Sequence, residues 1–307
     1  MASYDAAGFF PRILEKYTDL YGGNVVGAVL VVLSSLTMAA MMAAAKDLSE
    51  TYSIWQIVLI RSFGIAVMLT PIMVRSGGEV LKSEVFGLQI LRVVLGFIGI
   101  MCMFYSIAHL PLAEASAITF SRVIFLVGLA AILFAERVGF IGWGAAAIGF
   151  AGVAVMLDPA AEELNEAALV GAFGAFANAC VALVVKKLAA TDSTVTIMSY
   201  PALGLTALCI LPSIFTWQPI TWDAVPIFVL IMFSGTITNW CFINSYRHGE
   251  ASIMGTVEYS RLVVAALVGF LIFDEIPTFD ALGGIALIVA ASFVAVRRDQ
   301  IRAWMAS

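Results

Sequence analysis

Long apolar runs separated by short polar links occupy nearly the whole chain. A helix rises about 1.5 Å per residue, so about 20 apolar residues cross the hydrocarbon core of a membrane. By this criterion the pattern predicts an all-α membrane protein with ten transmembrane helices, here called spans one to ten. The spans cover residues 24–45, 54–74, 86–108, 112–134, 139–157, 167–185, 195–215, 224–246, 251–273 and 279–296.

Composition and charge lead to the same class. The 307 residues are 62% hydrophobic and 12% charged, and the mean hydropathy is +1.01. A soluble domain carries about 25% charged residues and could not cover this much apolar surface. The net charge of -5 offers no basic surface for nucleic acid. The four cysteines lie in apolar runs without metal-ligand spacing, so we expect neither a metal nor a cofactor.

Basic residues predict the orientation of the chain. Cytoplasmic segments of membrane proteins are enriched in Lys and Arg. With the N-terminus in the cytoplasm, Lys46 is the lone basic residue in the outer loops, and both termini are cytoplasmic. Residues 9–17 mix charged and apolar groups, which fits either a helix in the membrane interface or an irregular tail. The inner segments then hold Arg12, Lys16, Arg75, Lys82, Arg137, Lys186, Lys187, Arg247, Arg297, Arg298 and Arg302.

The two halves of the chain repeat each other. A shift of 139 residues aligns polar motifs without a gap, and near the start of each half a shift of 140 aligns Thr51-x-Ser53 with Thr191-x-Ser193. Each half holds an odd number of spans, so the second copy enters the membrane from the opposite side, as in inverted-repeat transporters. We therefore divide the chain into residues 1–157 and 158–307. The aligned motifs are Ser121-Arg122 with Ser260-Arg261, and Phe134-x-Glu136 with Phe273-x-Glu275.

These motifs resemble a known family. Residues 110–117 leading to 134–138, and residues 258–262 leading to 273–275, are similar to the EamA repeats of the drug/metabolite transporter superfamily. The resemblance covers nearly the whole chain. It implies a non-enzymatic transporter with a central cavity lined by spans one to four and six to nine. One departure is Arg122, because many members have proline near this position.

Two arginines are placed near the middle of the membrane. Arg122 and Arg261 lie about ten residues into spans four and nine, which corresponds to a depth of about 15 Å. Charged side chains at that depth face protein or water. One interpretation is a shared cavity in which both arginines bind a carboxylate or phosphate group. The alternative is that each arginine is held by a neighbouring acid or by helix carbonyl groups.

Further charges allow more than one role. Glu258 lies on the same helical face as Arg261, and its repeat counterpart is Thr119. It either neutralises Arg261, binds the amino group of a zwitterionic substrate, or carries a proton. Arg61 and Arg92, about seven residues into their spans, either reach back to the interface or line the cavity. Glu114, Glu136 and Glu275 are predicted to lie at helix ends, the last two in solvent.

Uncharged polar side chains complete the candidate lining. Each alone is typical of helix–helix packing, and together they would form a cavity able to stack an aromatic or cationic group. These residues are Tyr105 in span three and Asn178, Tyr200, Asn239, Trp240, Asn244 and Tyr259 in spans six to nine.

The resemblance and the intramembrane charges predict a secondary active transporter of the bacterial inner membrane. Its substrate would be a small polar metabolite with a carboxylate or phosphate group, such as an amino acid, most consistent with export by alternating access. Import or exchange of a vitamin or nucleoside-like metabolite is the alternative, and a membrane enzyme or lipid-handling protein is the remote one. Expected partners are the metabolite, a proton or other ion, and membrane lipids. No nucleotide-binding motif is found, so a gradient would supply the energy.

Overall fold

A computed structural model describes residues 10–109, 118–134, 136, 138–157, 166–273, 279–298 and 300–301. These parts of the chain are helical and contain no strand. Short 3-10 turns follow the third and eighth helices, at Glu79–Leu81 and Trp222–Ala224. The helices are α1 (Phe10–Tyr21), α2 (Gly23–Ser49), α3 (Ile54–Arg75), α4 (Phe86–His109), α5 (Arg122–Leu133), α6 (Gly139–Leu157), α7 (Glu166–Leu188), α8 (Thr194–Phe215), α9 (Val225–His248), α10 (Ala251–Val257), α11 (Ser260–Phe273) and α12 (Phe279–Val296).

The helices confirm an integral membrane fold. Six of the described helices (α2, α3, α4, α7, α8 and α9) are long and apolar enough to cross a membrane. Shorter apolar helices run over Ile118–Leu133, Gly139–Val155 and Leu282–Val296. The total of ten crossings and the positions of the termini stay predictions. Near the N-terminus, α1 is a helix rather than an irregular tail, and its location in the membrane interface stays a prediction.

The main helix pairs follow the sequence repeat: replacing each helix of a pair by its repeat counterpart gives another pair, or the same one. Helix α2 packs on α9, and their repeat counterparts α7 and α4 pack on each other. The other main pairs include α3 with α8 and α6 with α12, each joining a helix to its own counterpart, while α5 packs on α7 and α10. Individual contacts repeat as well: Gly64 lies against Met232, and their counterparts Gly204 and Val93 are also in contact. The two halves are therefore related by an approximate two-fold axis.

Polar contacts fix the relative direction of α3 and α8. The Ser53 hydroxyl, which caps the start of α3, lies 2.8 Å from the Thr216 hydroxyl just after the end of α8. At the opposite end, the buried Asp192 carboxylate, which precedes α8, accepts a 2.8 Å hydrogen bond from Gln89 and another from Ser83. The start of one helix thus meets the end of the other. This antiparallel pairing is the arrangement that an inverted repeat requires.

The helix predicted over residues 251–273 is divided in two, which corrects the sequence analysis. Glu258 and Tyr259 form a turn between α10 and α11, with the Arg261 amide donating a 3.1 Å hydrogen bond to the Glu258 carbonyl. A similar tight bond joins the Ser121 amide to the Ile118 carbonyl just before α5. Because Ser121 and Ser260 are repeat counterparts, both halves interrupt the same helix at nearly the same place.

The antiparallel contact between α3 and α8 can be tested by cross-linking. In a chain whose four cysteines are replaced, Ser53→Cys combined with Thr216→Cys should form a disulfide under mild oxidation, because the two hydroxyls are in hydrogen-bond contact. Non-reducing electrophoresis with thiol titration measures the product.

The control pair is Ser53→Cys with Ser83→Cys, whose positions flank opposite ends of α3. Equal cross-linking of the two pairs would contradict the described packing.

Candidate functional site

Three charged side chains meet where the interrupted helices approach each other. Arg122 begins α5, Glu258 lies in the turn between α10 and α11, and Arg261 follows one turn later. Arg122 Nη2 donates a hydrogen bond to Glu258 Oε2, and Arg261 Nη2 lies 3.8 Å from Glu258 Oε1. The carboxylate is 1% exposed. Both arginines therefore lie against one acid, which agrees with the alternative that the sequence left open, and we call the three side chains the charged triad.

A tyrosine that the sequence analysis missed completes the surroundings of Glu258. The fully buried Tyr246 on α9 donates a 3.1 Å hydrogen bond to Glu258 Oε1. The carboxylate therefore connects α5, α9 and α11. The sequence did not indicate this contact, because Tyr246 lies in an apolar span and its repeat counterpart is Ile107.

The triad combines two guanidinium groups with one carboxylate. Arg122 and Glu258 form the close pair, whereas the 3.8 Å separation leaves Arg261 weakly engaged. Arg261 Nε is also buried without a hydrogen-bond partner in the described part of the chain. An unbalanced cation in a low-dielectric interior is costly, and a carboxylate or phosphate group would satisfy its planar donors. Arg261 is therefore the member of the triad whose hydrogen-bond donors are least satisfied.

Tyr259 follows Glu258 directly in the sequence, but its side chain packs against α6 and α12. Its side chain is fully buried, and the ring packs against Gly149 of α6 and near Ala291 of α12. The Phe120 ring is 6.3 Å away. Consecutive residues of one turn are thus held by different neighbours, Glu258 by α5 and α9 and Tyr259 by α6 and α12. The two residues of the turn therefore connect the break between α10 and α11 to both sides of the bundle.

Two predicted asparagines lie in repeat-related helix pairs. Asn178 on α7 lies against Gly99 of α4, and its amide donates a 3.0 Å hydrogen bond to the Gly174 carbonyl. Asn239 on α9 donates a bond of the same length to the Gly235 carbonyl. Both amides satisfy a carbonyl of their own helix. The described contacts do not bring either residue to the triad.

Four further candidates also lie apart from the triad. Near the end of α9, Asn244 accepts a 3.3 Å hydrogen bond from Thr194. Tyr200 donates a 2.7 Å hydrogen bond to the Leu81 carbonyl in the loop after α3. Tyr105 is 38% exposed and stacks on His109. Trp240 packs against the apolar cluster of Val26, Leu30 and Cys241, and also against the main core that contains Tyr246.

A second polar cluster lies at the end of the bundle that the charge pattern predicts to be cytoplasmic. Glu136 accepts hydrogen bonds from the Ala251 amide (2.8 Å), the Ser252 amide (3.0 Å) and the Ser252 hydroxyl (2.7 Å). The sequence analysis placed this acid in solvent at a helix end. That interpretation was wrong, because the carboxylate binds the first amides of α10. Glu114 and Glu275 lie outside the described residues.

Other charges extend this cluster across the same end. Arg298, after α12, donates a 3.0 Å hydrogen bond to Ser252 and pairs with Glu250. Asn24 on α2 accepts a 2.9 Å bond from the Glu250 amide, and Lys186 on α7 binds the Gly249 carbonyl. We call this set the inner network: Asn24, Glu136, Lys186, Gly249, Glu250, Ser252 and Arg298. It ties together α2, α7, α10 and α12 beside the link that follows α9.

Fold and intramembrane charges together define a polytopic membrane transporter, and comparison with known proteins agrees. The model of the EamA-like transporter family matches residues 25–158 and again 165–297. The chain therefore belongs to this family and contains two EamA repeats. Its named relatives are transporters, so the protein is a transporter rather than an enzyme.

The relatives cover nearly the whole chain. An S-adenosylmethionine uptake transporter of Rickettsia bellii is 25% identical, covering 90% of this chain and 94% of the relative. A riboflavin transporter of Vibrio cholerae is 27% identical, covering 86% and 90%. A pseudopaline exporter of Pseudomonas aeruginosa is 27% identical, covering 86% and 94%. One crystal structure matches with a TM-score of 0.75 at 19% identity, over 88% of this chain and 98% of the other, which supports the fold.

Removing the Glu136 carboxylate should weaken the inner network. We expect Glu136→Ala to destabilise the protein by about 1–3 kcal/mol, because amides and a hydroxyl at the start of α10 lose a charged acceptor. Thermal unfolding of the purified protein in detergent measures the change. The matched control is Glu79→Ala, which removes an exposed acid paired with exposed Lys82. Equal melting temperatures for the two variants would contradict the role given to Glu136.

Proposed function

We propose that this protein is a secondary active transporter that moves a small polar metabolite with an acidic group by alternating access. Arg261 binds the acidic group, and Glu258 holds Arg122 beside it. Ten membrane crossings in two inverted repeats place both termini in the cytoplasm. The observation that carries the proposal is the charged triad, buried where both repeats interrupt a helix.

The depth of the triad supports a substrate site. Arg261 is about ten residues from Ala251, which corresponds to about 15 Å, or half of a core about 30 Å thick. In inverted-repeat transporters, substrates bind near this depth, where discontinuous helices from the two repeats meet. The break between α10 and α11, the one before α5 and the triad between them fit this pattern.

The chemistry of the triad favours an amino-acid type of substrate. A guanidinium group offers paired donors to a carboxylate, and a carboxylate attracts an amino group or accepts a proton. Transporters of S-adenosylmethionine, itself an amino-acid derivative, are among the relatives. Glu258 then binds the amino group or carries the coupling proton. A vitamin or nucleoside-like metabolite is the second candidate, favoured by the riboflavin transporter of Vibrio cholerae.

The inner network supplies a gate for this mechanism. Its contacts join α2, α7, α10 and α12 at the predicted cytoplasmic end. A solute passing between the triad and the cytoplasm requires these contacts to separate. The relatives come from bacteria, and under this proposal the protein lies in the bacterial inner membrane.

The two arginines should respond differently to substitution. We expect Arg261→Ala to lower transport at least tenfold with little loss of stability, because its link to Glu258 is long. Arg122→Ala should lower transport and also destabilise the protein by about 3–5 kcal/mol, since it breaks a buried ion pair. Flux of amino acids and related metabolites into proteoliposomes, with melting temperatures measured in parallel, tests both.

Arg75→Gln, which removes an exposed charge at the end of α3, is the control. Normal flux in Arg261→Ala would refute the substrate site.

The direction of transport is predicted to be export. Cells that make the protein should lose a preloaded substrate faster than cells that make Arg261→Ala, and they should accumulate less of it from the medium. Radiolabelled solute retained by each strain gives the measurement. Greater net accumulation in cells making the unaltered protein would contradict export and favour the uptake alternative.

A further inference from the structure

Arg61 is another intramembrane cation and lies outside the triad. Its guanidinium stem packs against Gly235 of α9: a Cβ added there would lie 3.1 Å from Arg61 Nε and 3.4 Å from its Cγ. The Met41 sulfur of α2 borders the same glycine. Arg61 therefore occupies a contact among α2, α3 and α9, whereas the triad lies among α5, α9, α10 and α11.

The side chain points toward the middle of the membrane. Arg61 is seven residues from Ile54 at the start of α3, a depth of about 10 Å. Gly235, which it touches, is ten residues from Val225 at the start of α9, a depth of about 15 Å. Both helices start at the predicted outer end. A snorkelling arginine would point the other way, so anchoring in the interface does not explain this orientation.

No acid balances this cation within the described residues. Arg61 makes no ion pair among them, and its buried Nε has no hydrogen-bond partner there. Uncharged polar groups lie close by on α9. The Asn239 amide binds the Gly235 carbonyl, and the Thr238 hydroxyl is 2.7 Å from that of Thr37 on α2. These polar groups within four residues of Gly235 on α9 are thus uncharged.

The repeat does not reproduce this contact. The counterpart of Gly235 is Gly96, where an added Cβ would meet nothing within 4 Å. The counterpart of Arg61 is Pro201. Both the contact and its positive charge are therefore particular to Arg61 and Gly235.

We propose that Arg61 forms a second anion-binding subsite, in the outer half of the membrane domain, that takes a carboxylate or phosphate group. An isolated cation in the membrane interior is costly, and a bound oxyanion would balance it. In transport the subsite holds the acidic group of the solute between the outer side and Arg261. This role in transport rests on the proposed function, whereas anion binding at Arg61 does not.

Inorganic phosphate and acetate serve as probes of the subsite. The full chain is purified in a detergent without phospholipid, and its melting temperature is measured as phosphate or acetate replaces chloride at constant ionic strength and pH 7. An anion that binds the folded protein raises the melting temperature. We expect Arg61→Gln to weaken the apparent phosphate affinity at least tenfold at this site. Arg75→Gln, an exposed charge on the same helix, should behave as the unaltered protein.

A second variant separates this subsite from the triad. Arg261→Gln removes the proposed substrate arginine, so phosphate that still stabilises this variant must bind elsewhere. We expect that stabilisation to persist, and to disappear in the double variant Arg61→Gln, Arg261→Gln. If phosphate fails to stabilise Arg261→Gln, the proposal of a subsite at Arg61 is overturned, even if Arg61→Gln does not fold.

Two other results would also overturn it: an unchanged phosphate response in Arg61→Gln, and stabilisation that appears only with added anionic phospholipid. The proposed transport function fails on a different measurement, the flux of Arg261→Ala.

Discussion

The carboxylate of Glu258 is the contact on which the interior of this bundle depends. It accepts hydrogen bonds from Arg122 and Tyr246 and lies 3.8 Å from Arg261, so a single buried group connects α5, α9 and α11. Without it, two guanidinium groups would remain in a low-dielectric region with no described counter-charge. The cost of separating such charges makes the turn between α10 and α11 favourable, even though it interrupts the backbone hydrogen bonds of a helix.

The two repeats share their backbone packing, whereas the charged residues of the interior differ between them. Equivalent glycine contacts, Gly64 with Met232 and Gly204 with Val93, show that backbone packing is shared by the two halves. The charges are not shared, because Glu258 aligns with Thr119 and Arg61 with Pro201. A strictly symmetric protein would present identical groups to both sides of the membrane. In the asymmetric set described here, two arginines share the single carboxylate of Glu258, and under the proposed function this excess of positive charge favours an anionic group.

Sequence reasoning predicted the features that depend on periodicity and on the repeat. Apolar runs gave the positions of the helices, and the alignment of Arg122 with Arg261 predicted that they would approach each other. The contact of Tyr246 with Glu258 was not predictable, because periodicity places a residue in a span without fixing the neighbour that its side chain meets. The hydropathy pattern also could not predict the turn at Glu258, because the residues on both sides of it are apolar. Tyr200 shows the same limit: it was grouped with the cavity and instead binds a loop carbonyl.

Helix α10 links the two polar clusters of the protein. It is seven residues long, Glu136 binds the amides at its first turn, and Glu258 follows its last residue. A ligand changes a conformational equilibrium only through contacts that differ between the two states. A solute that binds Arg261 and separates it from Glu258 changes the contacts at the last residue of α10. The first turn of α10 is bound by Glu136 of the inner network. Under the proposed mechanism, this short helix is therefore the element through which binding at the triad weakens the closed end of the bundle.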